Sequence, residues 1–510
     1  MANQCETAPD VGDAPNVAKG RGSFRIKFFY GLGSIAFGVK DNGFSVLLLL
    51  FYNQVMGLDA RLAGLAIMIA LIVDAIADPM IGYWSDNLSS RWGRRHPFMY
   101  GAAIPVALGY LFLFSPPSGL SQELLFAYLL GVSIAVRLFI AVYEIPSAAL
   151  VAELTESYDE RTSYLSFRYF FGWVGGLTMS MLAFGVFLQS TPDYPVGQLN
   201  PAGYSSYGVA ASIIMFVAII ASSLGTHSAI PWLKSPQPRS TTSVGEVVRE
   251  IIQTLSSRSA LSVLIAGMLI ALSAGLTFAL LTYFYTYFWR LQPTEISILI
   301  SGSFISAFLA LTLTPVMSRR FDKRGAAIGV AVVMIALIPI PYFARLAGYF
   351  PENGSPALLP TLMVFSVTIT TLTIIWSILI ASMLADIVED NEVRTGKRAE
   401  GVFFAANTFV AKCVSGLGVF GSAAIITLTG FPENARPGDV SANTLRDLAF
   451  SYVGAVVALN ILAIVCVLTY RISRSVHQAN LDKLATLADQ ALVPSPIHLK
   501  KPILATKIAE

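Results

Sequence analysis

Twelve apolar runs dominate this chain, and each is long enough to cross a lipid bilayer as a helix. A spanning helix needs about 20 mostly apolar residues, because the bilayer interior offers its backbone no water to bind. Only 13% of the residues are charged, against roughly 25% in soluble domains. The runs therefore predict an all-α membrane protein with twelve transmembrane helices. We place them at about residues 28–54, 61–84, 97–115, 122–150, 164–188, 207–226, 260–289, 295–317, 325–345, 358–386, 402–430 and 447–470.

The twelve helices fall into two sets of six, separated by the longest internal polar stretch. The turn after the second helix reads SDNLSSRWGRR and the turn after the eighth reads SRRFDKRG, so the halves echo each other. Parallel repeats of this kind form two bundles with a binding site between them near the midplane. The predicted organisation is a cytoplasmic segment, a six-helix bundle, a linker, a second six-helix bundle and a tail: residues 1–27, 28–226, 227–259, 260–470 and 471–510. In the tail, Leu481, Leu484 and Leu487 have the spacing of a short amphipathic helix.

Lysine and arginine are distributed unevenly between the two sides of the predicted bundles. With both termini in the cytoplasm, 25 of the 34 lie inside, four lie in the spans and five lie outside. The positive-inside rule therefore predicts that both termini are cytoplasmic. No cleavable signal peptide is predicted, because no short apolar region with a small-residue cleavage site precedes the first helix. We expect a multi-pass plasma-membrane protein, and in a bacterium the inner membrane.

The sequence offers no motif of an enzyme class. It has no Walker A sequence, which argues against an ATP-driven pump within this chain, and no G-x-S-x-G. Cys5, Cys413 and Cys466 are too few and too scattered for a disulfide framework or a zinc site. We therefore expect no enzyme activity, no cofactor and no metal beyond a coupling Na⁺. The expected partners of this monomer are lipid and a small solute, with no nucleic acid.

Eight ionisable residues lie inside the predicted spans, four of each sign, so the set can neutralise itself. Each would cost about 2.5–3.5 kcal/mol at a helix centre. We therefore expect them to face one another or a water-filled cavity rather than lipid. They are Lys40, Asp41, Asp74, Asp78, Arg137, Glu144, Arg168 and Lys412.

Asp74 and Asp78 are the most informative pair, because residues four apart lie on one face of a helix. Two carboxylates at this spacing repel each other unless they share a proton, bind a cation or meet a base. Ion pairs that only lock helices together are the alternative. Intramembrane acids commonly mark ion pathways, which favours cation or proton binding. Oxygen ligands suit Na⁺ or H⁺ rather than a soft transition metal.

The basic turn after the second helix has two interpretations of equal weight. Its charge can serve membrane insertion alone, or it can close the cytoplasmic side by pairing with acids at neighbouring helix ends. The closing set would be Asp86, Arg91, Arg94 and Arg95 against Glu153, Glu156, Asp159 and Glu160. Arg137, seven residues before Glu144 on the same face, is predicted to tie helices together or to belong to this cytoplasmic gate.

Aromatic residues occur at two places where they can have a function, beside the charged layer and at the outer end of a helix. Tyr143 and Trp376 lie beside the charged layer, where they can stack on a solute or pack in the core. The run Tyr283–Trp289 ends a helix on the predicted outer side and is typical of an interfacial aromatic belt.

Three segments resemble the signatures of one transporter family. VDAIADPMIGYWSDNLSSRWGRRHPF is similar to the second-helix signature of the glycoside–pentoside–hexuronide:cation symporters, a branch of the major facilitator superfamily. YEIPSAALVAELTESYDERTSYLSFRYFFG resembles their fourth-to-fifth helix signature, and LADIVEDNEVRTGKRAEGVFFAANTFVAK their tenth-to-eleventh. The resemblance runs from about Phe28 to the twelfth helix. It implies the major facilitator fold and cation-coupled symport by alternating access.

The resemblance also implies roles for single residues. Asp74 and Asp78 would ligate the coupling cation, and Glu144 would serve both cation and solute. Arg168 would contact the solute, and Lys412 would lie near the cation site.

The expected solute contacts depart from the family's pattern. The family's first-helix acid aligns with Gly38, with Asp41 one turn later, and its fourth-helix tryptophan aligns with Ala148. Its tenth-helix tryptophan aligns with Ser377, beside Trp376. Lys40 indicates either an anionic group on the solute or an internal ion pair. The predicted solute contacts are Lys40, Asp41, Tyr143, Glu144, Arg168, Trp376 and Lys412.

The sequence thus predicts a secondary symporter of a sugar, glycoside or sugar acid, driven by Na⁺ or H⁺. Three alternatives stay open: a transporter of a non-sugar or lipid-like solute, a proton-coupled exporter of the same fold, and a membrane sensor that does not transport.

Overall fold

The structure is a computed structural model that describes residues 23–155, 157–232, 258–395, 400–470 and a few positions between 472 and 483. Its helices follow the predicted runs, some extended by a turn or two. In chain order, α1 to α7 are Phe24–Val55, Ala60–Asn87, His96–Leu113, Gln122–Leu154, Tyr158–Leu182 with its extension Ala183–Phe187, Pro201–His227, and Arg258–Tyr283 with its extension Phe284–Phe288. Helix α8 is the part of Pro293–Leu337 before Asp322, and α9 is the part after it together with Pro339–Leu346. Helices α10 to α12 are Leu358–Thr395, Glu400–Leu428 and Ala442–Leu468. Most of the predicted linker and the predicted tail helix at Leu481–Leu487 lie outside the described residues.

Helices α8 and α9 form one helical stretch that is broken at Asp322. The stretch Pro293–Leu346 has 54 residues, which would be about 81 Å long as a straight helix, against a bilayer core of about 30 Å. Asp322 has φ 61° and ψ 158°, far from helical values, so the chain turns there. This position lies inside the predicted basic turn SRRFDKRG. The eleven long apolar helices of the described chain therefore make twelve membrane crossings.

Close backbone contacts hold each bundle together and join the two. In the first bundle, a Cβ on Gly38 of α1 would lie 2.0 Å from the carbonyl oxygen of Gly172 on α5. In the second, a Cβ on Gly275 of α7 would lie 2.3 Å from the carbonyl oxygen of Ser415 on α11. Small residues allow such approaches in membrane helices. Helix α2 packs against α11 across the two bundles, which brings their charged residues to one level.

The ends of α1 and α7 repeat each other in sequence and in backbone. FYNQVMGL at 51–58 matches FYTYFWRL at 284–291, and each begins as a π-helical turn. The amides of Leu58 and Leu291 both donate to a carbonyl six residues earlier, each over 2.8 Å. The residues just before them, Gly57 and Arg290, both have positive φ, 76° and 49°. These two matched segments, called here the twin turns, support the predicted parallel repeat.

The molecule has two distinguishable ends. The basic face carries the turns 88–95 and 319–324, rich in arginine and lysine. The distal face, at the other end of the helices, carries the twin turns.

Substitutions at Gly57 and Arg290 test whether the two twin turns share the same positive-φ backbone position. Gly57→Ala should destabilise the protein by roughly 1–2 kcal/mol, because a side chain is disfavoured at positive φ. The added Cβ would also lie 2.7 Å from the Asn434 side-chain nitrogen. Arg290→Gly should be neutral or stabilising, since it gives the second turn the residue of the first. The apparent Tm in detergent measures both.

Gly101→Ala is the matched control, because its Cβ would meet nothing within 4 Å and its φ is not positive. A Gly57→Ala protein that melts together with the Gly101→Ala protein would contradict the strain assigned to the twin turn.

Candidate functional site

Two aspartates of α2 and two bases from other helices form the first charged cluster. The Asp74 Oδ2 atom accepts from Arg137 Nη1 over 3.3 Å and from Lys412 Nζ over 3.2 Å. The Asp78 Oδ2 atom lies 2.6 Å from the same Lys412 Nζ. Asp74 is 1% exposed, so its charge depends on these partners. The structure therefore brings Asp74, Asp78 and Lys412 together, with Arg137 as the fourth member.

The ammonium of Lys412 lies between the two aspartates. Lys412 belongs to α11 in the second bundle, whereas both aspartates belong to α2 in the first. This ion pair thus bridges the two bundles. The second carboxylate oxygen of Asp78, Oδ1, is buried and has no hydrogen-bond partner. An unused carboxylate oxygen beside a replaceable ammonium is a place where a small cation can bind. Among the described residues, no group of three or more His, Cys, Asp or Glu forms a metal site.

Lys40, Asp41 and Glu144 form a second charged cluster beside the first. The Lys40 Nζ atom lies 2.7 Å from Asp41 Oδ1 and 3.9 Å from Glu144 Oε2. Lys40 is buried, but the Asp41 side chain is 59% exposed. Of the two alternatives for Lys40, an anionic group on the solute or an internal ion pair, the structure shows the internal ion pair. Gly38 has no room for the acid that the family carries there, because its α-carbon lies against the backbone of α5.

Arg168 of α5 lies beside Glu144 of the second cluster and has no acidic partner among the described residues. Its Nη1 donates to Ser147 Oγ over 3.1 Å, and its guanidinium carbon lies 4.8 Å from the centre of the Phe37 ring. No ion pair joins Arg168 to any residue of the described chain. Of the eight charges predicted inside the membrane, seven are paired, and Arg168 is the exception.

The two aromatic residues expected near the solute lie in the core instead. Tyr143 is 1% exposed, with its hydroxyl packed against Gly33 of α1. Trp376 is also 1% exposed and packs inside the second bundle, among residues of α7, α8, α9, α10 and α12. Their assignment as solute contacts is not supported by these positions. Sequence periodicity places a residue on a helix face but does not tell whether that face meets a cavity or a neighbouring helix.

The basic face carries an ion-pair cluster that holds the first bundle together. Arg94 and Arg95 both bind Glu153 Oε1, over 2.8 and 3.0 Å. Arg95 also pairs with Asp86 and donates to Ser85 Oγ. These residues join α2, α3 and α4 of one bundle. The predicted pairing of this turn with Glu153 is therefore present, but in this conformation it does not connect the bundles.

Two predicted members of that cytoplasmic gate, Arg91 and Arg137, take no part in this ion-pair cluster. Arg91 is exposed and makes no ion pair with a described residue. Arg137 binds Asp74 and stacks 4.3 Å from the centre of the Phe44 ring. It lies 17 residues before the end of α4, or about 25 Å from the basic face. Glu156 and the side chain of Asp159 lie outside the described residues.

Hydrogen bonds from the first twin turn to residues in and around the second bundle's distal end join the two bundles at the distal face. The Tyr283 hydroxyl donates to Asn53 Oδ1 over 2.7 Å, and the Tyr287 hydroxyl donates to Gln54 Oε1 over 3.0 Å. Gln54 also accepts from the Ala435 amide and donates to the Pro432 carbonyl. All these bonds cross from the first bundle to the second. We call this set the distal gate.

The distal gate corrects the interpretation of the aromatic run as an interfacial belt. Tyr283, Tyr287 and Trp289 are at most 2% exposed, so they do not face the lipid headgroups. The sequence did carry a signal for them, because FYNQVMGL and FYTYFWRL repeat each other around the gate residues. Asn53 and Gln54 are functional candidates that the charge-based reading of the sequence missed.

A family model described as MFS/sugar transport protein matches residues 29–474. An uncharacterized symporter of Synechocystis sp. is 27% identical over 487 residues, covering 80% of this chain and 86% of the relative. The isoprimeverose transporter of Lactiplantibacillus pentosus is 26% identical over 479 residues, covering 92% of this chain and 93% of the relative. Among solved structures, a bacterial homologue of the human lysosomal transporter Spinster, inward-facing and unoccupied, matches with a TM-score of 0.60 at 15% identity. That match covers 91% of this chain and 98% of the other, and it shows the major facilitator fold.

Loss of the distal gate should open the distal face. Gln54→Ala removes three hydrogen bonds between the bundles, each worth roughly 0.5–1.5 kcal/mol. A cysteine placed at Ala435, now 5% exposed, should then react several-fold faster with a membrane-impermeant maleimide. Gln189→Ala is the matched control, because Gln189 bonds Phe184 within one bundle at the same face. Equal labelling rates in the two variants would show that the gate does not hold this face closed.

Proposed function

The chain belongs to the MFS/sugar transport protein family, and from this membership we propose that it is a cation-coupled secondary symporter of a small sugar-type solute. The observation that carries the proposal is the pair Asp74 and Asp78, held on one helix face and bridged by Lys412 from the other bundle. Relatives named as a symporter and as an isoprimeverose transporter, each matched over most of their length, support it.

We assign Asp74, Asp78 and Glu144 to the coupling cation, Na⁺ or H⁺. Lys412 holds the place between the two aspartates where a cation bound by both would lie. An incoming cation therefore competes with the ammonium for the same carboxylate oxygens. Because Lys412 and the two aspartates belong to different bundles, a cation that displaces the ammonium weakens a contact that joins the bundles. A ligand shifts a conformational equilibrium only through its different affinities for the two states, and this competition supplies such a difference.

We assign the solute to the wall formed by Arg168, Asp41, Glu144 and Lys40. The exposed Asp41 carboxylate and the partly exposed Glu144 offer hydrogen-bond acceptors for sugar hydroxyls. Lys412 lies next to this wall, so the ion and solute sites share an edge. Solute and cation can thus affect each other through Glu144 and Lys412 without a long pathway.

We further propose that the basic face is cytoplasmic and that both termini lie there. The excess of lysine and arginine on that face supports this orientation. The described conformation, closed by the distal gate, would then be the one that opens to the cytoplasm. Alternating access requires a second state in which the distal gate is broken and the basic face is closed.

Removal of the Asp78 charge should uncouple the transporter. In proteoliposomes, Asp78→Asn should reduce ion-driven accumulation of a transported sugar at least tenfold, because one of the three acidic ligands assigned to the cation is lost. Exchange of labelled for unlabelled sugar, which needs no ion gradient, should persist. The assay starts from a panel of labelled pentoses, hexoses, glycosides and sugar acids, each with a Na⁺ or a proton gradient.

Asp447→Asn is the matched control, because this acid is exposed and pairs only with its neighbour Arg446 among the described residues. Asp78→Asn is preferred to Asp74→Asn, which would leave both the buried Arg137 and the partly exposed Lys412 short of a partner. Normal ion-driven accumulation by the Asp78→Asn protein would refute the assignment of the cation site.

A further inference from the structure

Helix α1 contains a π-helical turn, Gly43–Leu47, that the repeat between the bundles does not account for. The Leu48 amide donates to the Gly43 carbonyl five residues earlier, as in a π-helix. When the twin turns are aligned, the matching residues of α7 are 276–280, which lie within the α-helix Arg258–Tyr283. The turn is therefore not part of the repeat. Single π-helical turns inside α-helices occur frequently at functional sites.

The beginning of this turn is held by its own bundle. A Cβ on Gly43 would overlap the hydroxyl of Tyr110 on α3, so the position requires glycine. The Tyr110 hydroxyl donates to the Val39 carbonyl over 3.2 Å and is hydrogen-bonded to the Tyr207 hydroxyl of α6. Asp41 of the proposed solute wall thus lies directly before a point where α3 and α6 hold α1.

Phe44 connects the turn to the first charged cluster. Its ring centre lies 4.3 Å from the guanidinium carbon of Arg137, which binds Asp74 over 3.3 Å. Phe44 and Arg137 are at most 4% exposed, and a cation–π contact is strongest where water is excluded. A cation or proton bound at Asp74 weakens the attraction between Asp74 and the guanidinium. The Phe44 ring, in contact with that guanidinium, is then the part of the turn that responds.

The carbonyl of Val46 connects the same turn to the second bundle. It accepts a hydrogen bond from Thr282 Oγ1 of α7 over 2.5 Å, and Thr282 is 0% exposed. Thr282 lies directly before Tyr283, which donates to Asn53 in the distal gate. The turn therefore contacts the charged layer through one residue and the gate-bearing helix of the second bundle through another.

We propose that Phe44 and Thr282 are positioning residues for transport, and that the π-helical turn between them links occupancy of the cation site to the distal gate. This inference rests on the proposed function and adds the contacts through which its ion site and its gate act on each other. Cation binding at Asp74 loosens the stack of Arg137 on Phe44, the turn shifts, and the bond from Thr282 weakens. Tyr283, the next residue of α7, then releases Asn53.

The response of the distal gate to the ion tests the proposal. A cysteine at Ala435 is labelled with a membrane-impermeant maleimide in the detergent-purified protein, with and without Na⁺ and, separately, before and after a pH step. The ratio of the two rates, called here the ion response, should be several-fold in this background. Phe44→Leu and Thr282→Val should each bring the ion response close to one, because each cuts a contact of the turn. Cation binding measured by calorimetry should persist in both variants.

A double variant tests whether the two residues act through one element. Phe44→Leu combined with Thr282→Val should lose no more of the ion response than either change alone, whereas independent effects would add. Thr282→Ser keeps the hydroxyl that bonds the Val46 carbonyl and should retain most of the ion response.

Thr312→Val and Phe112→Leu are the matched controls. Both side chains are exposed, and in the described chain the Thr312 hydroxyl bonds only carbonyl groups of its own helix. These controls should keep the full ion response, and they correct for any effect of pH on the maleimide reaction.

A full ion response in Phe44→Leu or Thr282→Val would overturn the inference, even if the variant melts at a lower temperature, because the residue would then have a structural role only. Additive losses in the double variant would overturn it too. The proposed function would survive both results. It fails, and the inference with it, if the wild type accumulates no sugar of the panel against an ion gradient in proteoliposomes.

Discussion

The contact between Lys412 and the two aspartates of α2 joins the two bundles inside the charged layer. It places an ammonium within hydrogen-bonding distance of both carboxylates, at the level where α2 and α11 pack across the bundles. The buried Asp74 and the partly buried Asp78 would otherwise repel each other when both are ionised. Removing one partner of a buried pair typically costs about 3–5 kcal/mol. The pair therefore stabilises the described conformation only as long as nothing else neutralises the aspartates.

Two further sets of polar contacts define what that conformation is. The distal gate joins the bundles through neutral hydrogen bonds at the ends of α1 and α7. The cluster of Arg94, Arg95 and Glu153 at the basic face acts inside the first bundle. A few neutral hydrogen bonds and one replaceable ion pair are weak enough to be broken in each cycle. Rigid bundles with a weak, switchable seam are what alternating access needs.

The sequence predicted most of the fold, because a membrane leaves few choices for an apolar run of about 20 residues. It also located the charged layer, since an ionisable residue in such a run must find a partner. The sequence did not predict which residue pairs with each charge, because helix periodicity determines only which residues share a face of a helix. Arg137 was therefore assigned to a gate, although it binds Asp74, and Trp376 to the solute, although it packs in the core. The distal gate was missed for another reason. Its residues are neutral, and an aromatic run at a helix end looks the same whether it meets lipid or the other bundle.

In the mechanism we propose, the coupling cation and Lys412 compete for Asp74 and Asp78. Direct titration of Na⁺ and of protons into the purified Lys412→Gln protein, followed by calorimetry, tests it. The glutamine keeps a polar side chain of similar reach but brings no charge between the aspartates. We expect the coupling cation to bind this variant at least about tenfold more tightly than it binds the wild type, because its competitor is gone. Affinity that is unchanged or weaker would mean that Lys412 does not occupy the cation's place and that the proposed competition does not take place.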